Sequence, residues 1–202
     1  YGALGVLAAS QGTMNNFTFG NERHQYYETI AGGSGAGPGF EGTDAVQTHM
    51  TNSRLTDPEV LEWRFPVRLE SFAIRRGSGG AGRYGGGNGV DRRLRFLQPM
   101  SAVVPPNRRR FPPSAPAAGS DPRPGRSWIE RADGTREEFG ATFAAPVHAD
   151  DVIVIQTPGG GGYGDPARRT AEQLRADLAD GKVSPDGAAG YGATRSRKDI
   201  PP

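Results

Sequence analysis

The sequence predicts a mainly β (α+β) fold, a glycine-loop-rich sheet or sandwich-like domain closed by a short C-terminal helix. Three observations carry this. Of 202 residues, 31 are Gly and 17 are Pro, roughly a quarter of the chain, which calls for many turns and tight backbone approaches. Apolar residues recur at alternate positions in several short segments, the period of a half-buried strand. Only one stretch, near the C-terminus, carries helix start and stop signals.

Taken in order, Tyr1–Ala9 reads as the end of an element and Gln11–Asn21 as turn-rich. Glu22–Ile30, with Tyr26, Tyr27 and Ile30, reads as a strand, followed by a glycine loop over Ala31–Gly42. Thr43–Thr51 suits either a short helix or an extended segment, and Asp57-Pro58 starts a turn. Phe65, Val67 and Leu69 alternate with polar residues, and Phe72 and Ile74 continue one position out of phase. That slip predicts a bulge near Ser71. A second glycine loop covers Gly77–Gly89, and Leu94, Phe96 and Leu97 begin another strand. Pro105–Gly125 reads as a proline-rich loop, Trp128–Phe139 as a hairpin about Asp133-Gly134, and Val152–Ile155 as a buried strand. A third glycine run, Gly159–Gly164, precedes the helix. There Thr170 and Gln173 form a capping box, Leu174 and Leu178 share a face, and Gly181 ends the helix. The tail from Thr194 to Pro202 reads as polar and frayed.

Composition narrows the functional classes. With no Cys there is no thiol nucleophile or cysteine-ligated metal. No stretch approaches the length of a membrane span and no leader is visible, so a cytoplasmic setting without a membrane partner is expected. A formal charge of +2 is too small to argue for nucleic acid.

The glycine runs match G-x-G-x-x-G three times, at Gly37, Gly80 and Gly159, but none has the βαβ continuation of a dinucleotide site. No P-loop pattern occurs. Gly32-Gly33-Ser34-Gly35-Ala36 resembles a nucleophile elbow but lacks its last Gly. The three His are far apart in sequence, so no metal site is expected within this chain. His49 lies among Asp44, Thr48, Thr51, Asn52 and Arg54. That density of polar groups suits substrate orientation or proton transfer, or a structural polar turn. Arg108, Arg109 and Arg110 form a basic cluster, suited either to a solvated, carboxylate-paired loop or to an anion.

Read together, NNFTFGN (15–21), YYETIAGGSGA (26–36), FEGTDAVQTHMTNSRLTDPEVLE (40–62), SGGAGRYGGGNG (78–89), RRRFPP (108–113) and TPGGGGYGDP (157–166) resemble the hydantoinase B/5-oxoprolinase family, in order and across nearly the whole chain. The resemblance implies participation in ATP-dependent hydrolytic opening of a cyclic amide such as 5-oxoproline or a hydantoin. An ATP-dependent ketone carboxylase subunit of the acetone or acetophenone type is an alternative, as is a non-catalytic scaffold or interaction module. ATP with Mg would be bound by a hydantoinase A-type subunit or domain, giving a hetero-oligomer.

The chain corresponds to the C-terminal part of such subunits. Residues 1–166 would be its β-rich portion and 167–202 a C-terminal helix and tail. The family's N-terminal stretch resembling NDPYxGGTH, where the ligands of a divalent metal are expected, has no counterpart here. The chain alone is therefore expected to be inactive, and its tail after Tyr191 departs from the family's ending. On this resemblance His49 and Asp44 are the candidate catalytic groups. Glu28, Gly32, Gly33, Gly35, Asn52 and Arg109 are the candidate substrate-binding residues, the glycines by letting backbone approach the substrate.

Overall fold

The computed structural model describes residues 2–12, 15–49, 51–140 and 142–191. Its strands are β1 Asn16–Gly20, β2 Gln25–Thr29, β3 Val67–Arg75, β4 Gly89–Phe96, β5 Met100–Val104, β6 Arg126–Glu130, β7 Arg136–Phe139, β8 Phe143–Val147 and β9 Val152–Gln156. They form two sheets with the orders β2-β1-β5-β8 and β3-β4-β9-β6-β7. Every pairing described is antiparallel. Both sheets turn their apolar positions onto one shared core, as in a sandwich. Phe19 of one sheet meets Phe96 of the other edge-on, with ring centroids 5.4 Å apart.

One polar contact crosses this core. Arg92 on β4 occupies an inward position of the alternation and donates to both Glu28 carboxylate oxygens on β2, at 2.7 and 2.9 Å. The Tyr26 hydroxyl donates to the same carboxylate at 2.9 Å. Burial pushes the Glu28 carboxyl up, against the opposing pull of Arg92 and Tyr26. Glu28 is thus a buried internal tie between the sheets.

The bulge falls where the phase slip put it, between Leu69 and Ser71. The β6–β7 hairpin turns through Asp133 and Gly134, the glycine at φ +86°. The capping box of helix α2, Ala171–Ala179, is present, and Gly181 closes the helix at φ +67°. Its inward face differs from the expected one: Leu174 and Asp177 are buried while Leu178 is exposed, because Arg169 gives Asp177 a partner inside.

Three expectations are corrected. The turn-rich reading of Gln11–Asn21 hid β1, where Phe17 and Phe19 alternate inward between turn-forming neighbours. Asp57-Pro58 starts helix α1, Pro58–Arg64, not a simple turn; the Asp57 side chain accepts from the Glu59 N–H at 2.9 Å and Leu61 is the buried anchor. Thr43–His49 is neither helix nor strand. Ala45 and His49 adopt left-handed φ values of 48° and 57°, and Val46 bridges to Gly32. The tail 194–202 lies outside the described residues. Among those residues no helix is long and apolar enough to cross a membrane.

The glycine runs are not solvent loops. They pass side by side beyond the ends of the sheets and bond backbone to backbone. The amides of Gly160, Gly161 and Gly162 donate to the carbonyls of Gly87, Ala9 and Ser120, three different segments. A β-strand would direct alternate amides to two neighbours only. Successive groups pointing to three neighbours is the behaviour of a threefold extended ribbon. Such packing leaves no room for side chains. A Cβ on Gly160 would overlap the Ser34 carbonyl, one on Gly33 the Gly87 carbonyl, and one on Gly86 the Gly160 carbonyl.

Gly160→Ala should therefore destabilise the chain by about 3 kcal/mol or more, because the obstructing atoms are backbone. Gly140→Ala, where a Cβ meets open space, should cost within about 0.5 kcal/mol. Urea unfolding of both variants checks the contrast; equal losses would contradict ribbon packing.

Candidate functional site

Where the glycine layer meets the C-terminal segment, the ribbons leave a cleft of about 480 Å³. One wall is backbone from Gly77–Gly86; another is contributed by Lys182–Tyr191; Asp44 and Asn88 lie between. The volume is within the range of small-molecule sites.

Asn88 organises this cleft. It is buried, its Oδ1 accepts from the N–H groups of Ser78 and Gly79 at 2.8 and 3.0 Å, and its Nδ2 donates to the Lys182 carbonyl at 3.2 Å. Its own N–H donates to Asp44 Oδ1 at 2.6 Å, and Nδ2 reaches Asp44 Oδ2 at 3.4 Å. Each carboxylate oxygen carries two lone pairs. Asp44 is therefore fixed on one side and retains acceptor capacity at the cleft. Sequence reasoning missed Asn88; a lone polar residue inside the glycine run GGGNG was the available signal.

The far end is closed by Arg169. Its Nε donates to Asp177 at 2.5 Å, Nη2 to Glu41 at 2.7 Å and Nη1 to the Arg83 carbonyl at 3.0 Å. Burial disfavours its charge, but the two carboxylates outweigh that and hold the guanidinium above its ordinary value. Burial likewise pushes the Tyr191 phenol up, so it stays a neutral O–H at physiological pH. Lys182 lines the same cleft. Asp44, Lys182 and Tyr191 thus line one cleft, with the Lys182 ammonium paired to Asp180 at 3.6 Å.

The other expected site residues scatter. Gly32, Gly33 and Gly35 are buried, and what they approach is the chain itself: Gln11 and Pro158, Gly87, and Ala8 respectively. Their missing side chains are explained by internal packing. Ser34 Oγ accepts from the Thr43 N–H at 2.7 Å and holds the loop. His49 and Asn52 are exposed on the turn beyond Thr48. Arg109 lines a separate cleft with Arg108 and Arg110.

The glycine loops also fail as a phosphate cradle. The N–H groups of Gly33, Ser34, Gly42, Gly80, Gly86 and Gly87 are already donated to backbone carbonyls, as are those of Gly160–Gly162. A phosphate site needs such amides free to converge on the anion. Among the described residues no three His, Asp or Glu side chains converge as metal ligands.

Arg169 is the pin between the C-terminal segment and the ribbons. Arg169→Met leaves Asp177 buried without its cation, a loss of about 3 kcal/mol. Chymotryptic cleavage at Tyr191 should accelerate by roughly 100-fold when the segment opens. An unchanged rate would mean the segment is held by other contacts.

Comparison with known proteins bears on this architecture. The Hydantoinase B/oxoprolinase family profile matches residues 1–166. The 5-oxoprolinase of Dictyostelium discoideum is 44% identical over 162 residues, 80% of this chain and 13% of that protein. Caprolactamase subunit beta of Pseudomonas jessenii is 32% identical over 195 residues, 92% of this chain and 33% of that one. The crystal structure of the ATP-dependent caprolactamase from Pseudomonas jessenii superposes with a TM-score of 0.80 at 27% identity, covering 95% of this chain and 36% of that chain. An acetone carboxylase structure superposes with a TM-score of 0.70 at 18% identity, a likeness of fold alone. The chain spans a small part of these relatives, but within that part the ribbons, the Asp44 turn and both sheets lie inside the matched residues. The chain belongs to the hydantoinase B/oxoprolinase family.

Proposed function

We propose that this chain works within a larger hydantoinase B-type assembly that opens a cyclic amide by ATP-dependent hydrolysis, and that the Asp44 cleft receives the ring. The observation that carries the reading is Asp44 itself, a carboxylate fixed by Asn88 on the wall of a cleft of about 480 Å³. The chain's 44% identity to a 5-oxoprolinase supports the reaction class. Substrates in scope are 5-oxoproline, hydantoins and related lactams.

In this reading Asp44 is the base. It takes a proton from the water that adds to the ring carbonyl carbon. The carbon–nitrogen bond then breaks and the proton passes to the departing nitrogen. Ring and water are consumed together with ATP, which is hydrolysed to ADP and phosphate on the partner, and an open chain with a carboxylate and an amine remains. Lys182 and Tyr191 orient the ring through its carbonyl.

The glycine runs of this chain offer no converging set of free amides for a nucleotide's phosphates, since those of Gly33, Gly42, Gly80, Gly86, Gly87 and Gly160–Gly162 are engaged. We assign ATP with Mg to a hydantoinase A-type partner, and any assisting divalent ion to ligands beyond this chain. A relative named as a beta subunit supports a hetero-oligomer. We place the assembly in the cytoplasm, where ATP is available to such a reaction. His49 and Asn52, on the outer turn, would reach the reaction chamber only alongside other segments of the assembly.

Asp44→Asn keeps the acceptor toward the Asn88 N–H and removes the base. In the full assembly it should lower kcat by roughly 100-fold or more, the usual weight of a general base, with unfolding unchanged. Wild-type turnover in that variant would remove Asp44 from the reaction.

A further inference from the structure

The second cleft, of about 490 Å³, shares no lining residue with the first and is lined by Arg108, Arg109, Arg110, Pro106, Phe111 and Thr142 among others. Three consecutive arginines meet here, and among the described residues no carboxylate pairs with any of them. Other arginines do have such partners: Arg92, Arg93, Arg95, Arg126, Arg131, Arg136 and Arg169 each form an ion pair.

Arg109 is half-buried and built into position. Its Nη1 donates to Asn15 Oδ1 at 3.2 Å and to the Asn107 carbonyl at 3.1 Å, and its Nη2 to Ser127 Oγ at 3.2 Å. All three acceptors are neutral. Its Nε is buried and has no partner among the described residues. Gly125 makes the arrangement sterically possible, since a Cβ there would overlap the guanidinium. The backbone is set by Arg108, at a left-handed φ of 58°, whose carbonyl accepts from the Gly125 N–H at 3.0 Å. Burial, with Arg75 close by, pushes the Arg109 guanidinium down to about 9, so at neutral pH it is still charged. A sequestered cation held only by neutral dipoles attracts a counterion.

The cleft is also partly apolar. Phe111 is exposed, carries the Arg110 guanidinium 5.3 Å from its ring centroid, and sits with Pro106 on the same wall. A bare inorganic ion would leave that wall unused. With both Nη1 hydrogens and one Nη2 hydrogen taken and Nε buried, Arg109 keeps one Nη2 hydrogen for a ligand, and a carboxylate accepts such a charge-assisted bond.

We propose that this cleft binds an organic carboxylate, its acid group at Arg109 between Arg108 and Arg110 and its apolar part on Phe111 and Pro106. This site does not depend on the ring-opening reading, since it shares no residue with the Asp44 cleft. The carboxylate comes either from a free small acid or from an acidic side chain elsewhere in the assembly.

The test is calorimetric titration of the chain with butyrate, with butyramide as neutral isostere and with inorganic phosphate. Butyrate should bind at least about ten-fold more tightly than either, the weight of one charge-assisted pair. Arg109→Lys, which keeps the charge but cannot span Asn15 and Ser127 and still present a donor to the acid, and Arg110→Ala on the outer rim should each weaken butyrate binding about ten-fold or more. Arg110→Ala protects the test should the buried variant fail to fold. Equal binding of butyrate and butyramide, tighter binding of phosphate, or wild-type affinity in Arg110→Ala would each overturn the proposal. Repeating the titration on the full assembly separates the sources. Binding retained there supports a free acid. Binding lost there, with an acidic side chain cross-linking to the cleft, supports a carboxylate supplied by the protein.

Discussion

Backbone-to-backbone packing of the glycine runs is the constraint on which the remaining structure rests. Glycine segments in water are costly to order because they lose more conformational freedom than any other residue. Here that cost is offset by burying and hydrogen-bonding nearly every amide. Gly159–Gly162 runs through the middle, donating to Arg123, Gly87, Ala9 and Ser120 in turn. Segments far apart in the chain are thereby locked at separations only glycine permits. The two sheets supply an ordinary apolar core; the ribbons supply the rigid surface on which the Asp44 cleft is built.

That rigidity explains how a loop-borne carboxylate is held in one place. Asp44 sits after a ribbon whose Gly42 amide bonds Gly85, and before Ala45, whose amide bonds Asn88. Asn88 then fixes the carboxylate directly and ties the Ser78–Gly79 and Lys182 backbones to it. A side chain set by four backbone segments needs little reorganisation when a ligand arrives. The C-terminal segment closes over it through Arg169, so cleft shape and ion pairing are linked.

Much of the fold was legible because its signals are local. Alternation at Phe65–Leu69, the phase slip at Ser71, Asp133-Gly134 and the Thr170–Gln173 box each act within a few residues. The β1 strand was hidden because Asn15, Asn16 and Gly20 read as turn formers, while pairing with β2 and β5 decides their state. Helix α1 was hidden because Asp-Pro starts turns and helices alike. The site was less legible for a different reason. Glu28 and the Gly32–Gly35 run were read as facing a ligand. Glu28's actual partner, Arg92, and the backbone that Gly33 meets at Gly87 lie more than fifty residues away. Nothing in a local pattern distinguishes a glycine that admits substrate from one that admits another strand of the same chain. Asp44 was singled out by its polar neighbourhood and lies on the cleft wall; Asn88, which holds it, was lost among glycines.

The most direct test is amide hydrogen exchange on the intact chain. The N–H groups of Gly33, Gly87, Gly160, Gly161 and Gly162 should exchange as slowly as those of Ile153–Ile155 in the central strand β9, because all are buried and bonded. Exchange of these glycines at the rate of the exposed Gly134 and Gly140 would mean that the runs are open loops, and the cleft built on them would have no fixed wall.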